Sequence, residues 1–150
     1  MWKTLLVPHD FSPCAEKALS LAVDLARQEG GAIVLVHVTH LPPGLTADAM
    51  LSDGATGQLV RVDAYARNGA TERLEGIAAP LRETGLQITT RTTLGDVADE
   101  ILDVARDIDA DIIVMGTHGR TGLKHLFLGS MTEKVLREAS IPVLTVRVEA

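Results

Sequence analysis

Between Gly116 and Ser130 the chain reads Gly116-Thr117-His118-Gly119-Arg120-Thr121-Gly122-Leu123-Lys124-His125-Leu126-Phe127-Leu128-Gly129-Ser130. Glycines at 116, 119, 122 and 129 let a backbone turn tightly and approach a ligand without a Cβ in the way. The segment then runs into Ser130-Met131-Thr132-Glu133, which has the form of a capping box opening a helix, with Ser130 as the expected N-cap. At such a helix start the free N–H groups and the positive end of the dipole favour an anion. Phosphate is the group this arrangement suits. Gly129 leaves room for oxygens near the main chain, the Ser130 and Thr132 hydroxyls are further donors, and Arg120, Lys124, His118 and His125 bring positive charge to the same loop. The alternative is a plain strand-to-helix joint in which Ser130 only caps, because glycine-rich loops make such joints in many folds.

Other chemistry finds less support. There is no G-x4-G-K-[ST], so the lysine that serves phosphate transfer in P-loop enzymes is missing. A receiver-type site would need several acids at strand ends and a lysine after the last strand, but Asp10 stands alone and Arg147 lies within that strand. Cys14 follows the first strand, as a phosphatase nucleophile would, yet the position where arginine would cradle the phosphate is Ser20. Cys14 therefore reads as a first-turn helix residue. The G-x-S-x-G elbow is absent as well. Histidines 9, 37, 40, 118 and 125 show no pair with metalloenzyme spacing and a supporting acid, and His37 and His40 read as strand-end and loop residues. No nucleophile, oriented base and charge-stabilising group come together, so fast phosphoryl transfer is not expected, and a slow hydrolase or phosphotransferase stands as the alternative to a binding module.

The elements that must position the loop are legible in the apolar pattern. Leu5-Leu6-Val7, Ile33 to Val38 and Ile112 to Met115 are β-branched or aliphatic runs without strict alternation, as suits strands covered on both faces. Gln87 to Leu94, which alternates more, and Val143 to Val148 complete five strands. Four helical patterns lie between them. Ser12-Pro13 opens the first, which carries Ala15, Ala18, Leu19, Ala22, Leu25 and Ala26 and ends at Gly30-Gly31. The second is expected from Leu59 to Leu81, weakened by Gly69 and Gly76. Asp96 caps the third, and the fourth ends before Pro142. Alternation of this kind implies an α/β fold, a doubly wound parallel sheet in a single domain over residues 1–150. Strand orders 2-1-3-4-5 and 3-2-1-4-5 both satisfy the pattern, and in either a ligand sits beyond the carboxyl ends of the strands where the connections diverge. Residues 40–57, carrying Pro42, Pro43, Gly44, Gly54 and Gly57, form a connection long enough to be a lid or a contact surface.

The 150 residues are 46% apolar and 23% charged, which is enough at this length for a core that needs no staples. With Cys14 the single cysteine, no intrachain disulfide can form. A net charge of −6 without a Lys/Arg cluster disfavours nucleic acid and anionic membrane surfaces. Leu5-Leu6-Val7 stops at Pro8, too short for a signal h-region, and no apolar run is long enough to span a bilayer, so a cytoplasmic location without membrane insertion is expected.

The spacing Gly116-x2-Gly119-x9-Gly129-Ser130, placed after the fourth strand, resembles the nucleotide motif of the universal stress protein family. The likeness extends along the chain through Leu5 to Ser12, His37-Val38, Asp111 to Gly119 and Ile141 to Val146. It implies strand order 3-2-1-4-5, a three-layer Rossmann-like, adenine nucleotide alpha-hydrolase-like architecture, with ATP lying across the ends of strands one and four. By that resemblance Pro8 and Asp10 flank adenine and ribose, and Val38 meets the adenine edge through its backbone. Met115, Gly116 and Gly119 border ribose and phosphates, in the loop that includes Thr117, His118, Arg120 and Thr121. Gly129, Ser130, Met131 and Thr132 surround the phosphate tail. Asp10 would hold a hydrated Mg²⁺ bridged to phosphate oxygens, since magnesium needs only one or two protein carboxylates; its alternative role is to accept N–H groups at the helix start. His9-Asp10-Phe11-Ser12 departs from relatives with smaller residues around the aspartate, and Phe11 is expected to narrow the mouth of the pocket. The resemblance also implies a stress-response regulatory module that homodimerises through the edge strand Val143 to Val148 and acts on a protein the sequence does not name. The sequence leaves open whether dimers pair into tetramers, and whether ATP or AMP is preferred.

Overall fold

Leu5, Leu6 and Val7 have no solvent exposure at all, and the reason is their place in the middle of a five-stranded sheet. The computed structural model describes residues 1–41, 43–118 and 128–148. In chain order its elements are β1 (Thr4–Pro8), α1 (Pro13–Glu29), β2 (Ala32–Thr39), β3 (Met50–Ser52), β4 (Leu59–Arg61), α2 (Val62–Glu83), β5 (Ile88–Leu94), α3 (Val97–Asp107), β6 (Ile112–Gly116), α4 (Ser130–Glu138) and β7 (Val143–Val146). The large sheet has the order β5-β2-β1-β6-β7 and is parallel throughout. Counting only its five strands along the chain, this is 3-2-1-4-5, and the order 2-1-3-4-5 is excluded.

Alternate residues of each central strand feed two cores. Leu5, Val7, Ile33, Leu35, Ile112 and Val114 pack with Ala18, Ala22, Leu74 and Ala78 of α1 and α2. Leu6, Val36, Ile113 and Met115 pack with Ile101, Leu102 and Val104 of α3 and Val135 of α4. Both faces are therefore apolar, which is why the runs do not alternate. Helix α1 forms as its signals require: Ser12 Oγ accepts the Ala15 N–H at 3.2 Å, Pro13 occupies the first turn, and Gly30 closes the helix in the left-handed region at φ 68°.

Three local expectations need correction. The second helix starts at Val62, because Leu59–Arg61 is drawn into an antiparallel hairpin with Met50–Ser52 (Met50↔Arg61, Leu51↔Val60, Ser52↔Leu59). The connection 40–57 thus carries strand structure of its own. The last strand ends at Val146 rather than Val148. Helix α4 takes Gly129, not Ser130, as its N-cap, and no side chain caps it. Gly129 is held extended by donating its N–H to Thr117 O at 2.8 Å, and Glu133 donates to Gly129 O at 2.9 Å, which leaves Ser130 as the first helical residue.

The first glycine of the loop motif has a packing duty. A Cβ on Gly116 would stand 2.7 Å from Cys14 Sγ and 3.0 Å from Cys14 Cβ. The same thiol donates to Val146 O at 3.1 Å, so α1, β6 and β7 meet at one atom. We expect Gly116→Ala to lower stability by about 1–3 kcal/mol, the usual cost of overpacking, and Cys14→Ala in that background to recover part of it; a loss below about 0.5 kcal/mol in chemical denaturation would contradict this.

At the opposite edge Glu75 fastens α2 to β5. Its carboxylate receives Arg82 at 2.6 and 3.0 Å and the Thr90 hydroxyl. Arg82 foremost, then Thr90, holds its pKa down from 4.5 to about 2. A depressed carboxylate contributes stability above its unfolded pKa and loses it as pH falls. Melting followed from pH 4.5 down to about 2 should show a steeper loss for the wild type than for Glu75→Gln; parallel curves would contradict the assignment.

Candidate functional site

The carboxyl ends of β1, β2 and β6 open into a crevice of about 480 Å³. It lies where connections leave the sheet to opposite sides: from β1 to α1 on one face, and from β6 towards α4 on the other. Pro8 and Asp10 come from the end of β1, Val38 from β2, Met115 and Gly116 from β6, His118 from the residues after it, and Met131 from α4, and all seven line the crevice. Val97 and Ile101 of α3 complete an apolar wall with Val38, Met115 and Met131. Ser12, Ala15, Val36, His37, Thr39 and His40 also border the space.

Other expected site residues stand beside the crevice and shape it. Thr117 is buried, donates its N–H to Val146 O at 2.9 Å and accepts the Gly129 N–H, while its hydroxyl meets His118 Nδ1 at 3.0 Å. The Thr132 hydroxyl is 3.1 Å from Gly116 O and 3.3 Å from Thr117 O and donates to these carbonyls, tying α4 to the end of β6. Its N–H belongs with those of Ser130 and Met131, which have no acceptor within the helix because they open it. Ser130 is exposed and Gly129 half-buried. Gly119, Arg120 and Thr121, with Lys124 and His125, lie outside the described residues.

Asp10 accepts an N–H at the helix start, as one of the two readings of it expected, its Oδ1 taking the Ser12 N–H at 3.0 Å, and it also stands at the crevice. Phe11 corrects the expectation of a narrowed mouth. Its ring is not part of the lining; it packs 4.7 Å from the His37 ring and beneath the Arg73 guanidinium of α2, 3.7 Å from the ring centroid. Among the described residues no three His, Cys, Asp or Glu side chains gather where they could hold a metal.

Sequence reading underestimated three histidines. His9, His37 and His40 join His118 around the crevice. The available signal was their position, at or just past strand ends that a parallel sheet turns towards its ligand. His9 is 2% exposed, and burial lowers its pKa below the ordinary 6.5; the Glu16 and Asp10 carboxylates oppose that effect, and His37 adds to it. Its Nε2 faces Glu16 Oε1 at 3.3 Å without hydrogen-bond alignment.

Comparison with known proteins identifies the family of this fold. Residues 1–147 match the model of the universal stress protein family. The universal stress protein MJ0577 of Methanocaldococcus jannaschii is 33% identical over 155 aligned residues, spanning 98% of this chain and 96% of that protein. Its solved structure superposes with a TM-score of 0.77 at 29% identity, covering 99% of this chain and 98% of that one. A universal stress protein of Archaeoglobus fulgidus, solved in complex with dAMP, has a TM-score of 0.66 at 22% identity and covers 97% and 98% of the two chains. Another universal stress protein, solved with cAMP, has a TM-score of 0.61 at 21% identity and covers 97% of each. These last two likenesses concern the fold. No described helix is long and apolar enough to cross a membrane. With its strand order, its strand-end crevice and a match along nearly its whole length, the chain belongs to the universal stress protein family.

Proposed function

We propose that the crevice binds an adenine nucleotide, with ATP and Mg²⁺ as the physiological pair, and that the protein is a regulatory module of the stress response rather than a fast enzyme. The observation that carries the reading is an apolar slot that reaches the start of α4 through Met131. Val38, Val97, Ile101, Met115 and Met131 offer a base-sized apolar surface. The N–H groups of Ser130, Met131 and Thr132 and the dipole of α4 offer a place for phosphate. Asp10 stands at the β1 end, suited to ribose hydroxyls. The donor set fits the nucleotide: apolar groups for the base, one carboxylate for the sugar, amides for the anion. It fits magnesium only as an ion that takes most of its ligands from phosphates and water, with the Asp10 carboxylate as its protein partner. Two family members of the same fold hold dAMP and cAMP, which supports an adenine nucleotide as the ligand. Nucleotide bound at the start of α4 would alter a surface that another protein reads.

Dimerisation belongs to the same proposal. β7 is an edge strand. Pro142 O and Val146 O accept from Ile113 and Thr117 of the β6 side, so by alternation the N–H groups of Val143 and Thr145 point away from the sheet. A second copy pairing there would cover that edge.

ATP at about 100 times its Kd should raise stability by about 2.7 kcal/mol, and ADP release should stay below about 1 s⁻¹. No shift in melting would refute the binding site, and faster turnover would refute the regulatory reading. Gly129→Val should leave the fold intact, since a Cβ there meets only Thr117 O, at 3.4 Å, and His118 Cα, at 4.0 Å. The same change should weaken ATP binding about tenfold or more; unchanged affinity would remove the phosphate from this corner. Thr145→Pro deletes an outward N–H and should shift light-scattering mass from dimer to monomer; an unaltered dimer would place the interface elsewhere.

A further inference from the structure

His9 has its polar groups committed in three directions. Its N–H donates to Val36 O at 2.8 Å, and its carbonyl stands 2.8 Å from His37 Nδ1. A carbonyl only accepts, so His37 carries its proton on Nδ1. The His9 ring completes the set: its Nδ1 lies 3.0 Å from the Phe11 nitrogen, whose N–H is the donor. That nitrogen is therefore bare, and the neutral His9 ring holds its proton on Nε2, towards Glu16. The ring acts here as an Asn or Asp carbonyl does in an Asx turn, accepting the N–H two residues on. Asp10 repeats the pattern one step later with the Ser12 N–H at 3.0 Å. Two overlapping side-chain-to-backbone turns thus set the chain between β1 and α1.

They hold something that would not hold itself. Phe11 has φ 66°, a left-handed conformation that costs a residue with a Cβ. Its ring lies under the Arg73 guanidinium and packs against the His37 ring, its N–H is held by His9, and Asp10 lies between the two turns with its carboxylate at the crevice. We propose that His9 is a positioning residue for nucleotide binding: through the bare Nδ1 it fixes the left-handed Phe11 turn, and through that turn it aims the Asp10 carboxylate at the ligand. This rests on reading the crevice as a nucleotide site.

Two variants separate an acceptor from a bulky ring. Asn at position 9 restores an acceptor for the N–H two residues on, whereas Leu fills volume without one. Titration calorimetry with ATP should find His9→Asn within about threefold of wild type and His9→Leu weaker by roughly tenfold or more, with both variants melting cooperatively. Wild-type affinity in His9→Leu would overturn the proposal. So would a His9→Asn protein as weak as His9→Leu, since the imidazole itself would then be what the nucleotide needs. Nitrogen NMR of the wild-type protein tests the turn even if His9→Leu fails to fold: Nδ1 should be bare and Nε2 protonated near about pH 7.5, and the reverse tautomer would overturn the assignment. If the wild type binds no adenine nucleotide, the functional reading falls with the Asp10 step. The turn is then judged by the Phe11 amide, which should exchange slowly in wild type and His9→Asn and fast in His9→Leu; equal rates would overturn it.

Discussion

The parallel pairing of β1 with β2 on one side and β6 on the other is the constraint on which the rest of this molecule depends. It lays Leu5 beside Ile33 and Ile112, and Leu6 beside Val34 and Ile113, so β1 and β6 end close together while β2 runs on past Val36, the partner of Pro8, to Thr39. Because the chain leaves β1 towards one face and β6 towards the other, the layers part at those ends. The crevice is that parting, walled by side chains that also belong to the second core: Val38, Val97, Ile101, Met115 and Met131. Packing and binding surface are continuous, so the apolar slot comes from the same burial that stabilises the sheet.

The glycine motif is asymmetric in its physical meaning. Gly116 is required by protein atoms, since Cys14 occupies the space a side chain would need. Gly129 has no such neighbour and serves as the extended residue before α4. Between them Thr117 and Thr132 knit main-chain groups together, so the amides opening α4 are held by hydrogen bonds to the end of β6 rather than by a capping side chain. The β1–α1 turn on the other wall is fixed by side chains of His9 and Asp10 acting on the backbone. One wall is built from main-chain pairing and the other from side-chain turns.

Much of this was legible in the sequence because it is local. The aliphatic runs at 5–7, 33–38 and 112–115, the Ser12-Pro13 start and the Asp96 cap each depend on neighbours within a few residues, and each appears where expected. Seven of the site residues, among them Asp10, Val38 and Met131, meet at the crevice for the same reason: strand ends in a parallel sheet are brought together by topology. What escaped was non-local. Leu59 carries a helical period but pairs with Ser52 across a turn, and Ser130 loses the cap because Thr117, thirteen residues earlier, restrains Gly129 first. The roles of His9 and Phe11 were hidden because a left-handed φ at phenylalanine and an imidazole standing in for an Asx carbonyl leave no pattern in residue type.

The most direct test of the central claim is a crystal structure of the protein grown with ATP and Mg²⁺. The account predicts the adenine between Val38 and Met115 and a phosphate within hydrogen-bond distance of the Ser130 to Thr132 amides. A nucleotide bound elsewhere, or with its phosphates turned away from the start of α4, would contradict it.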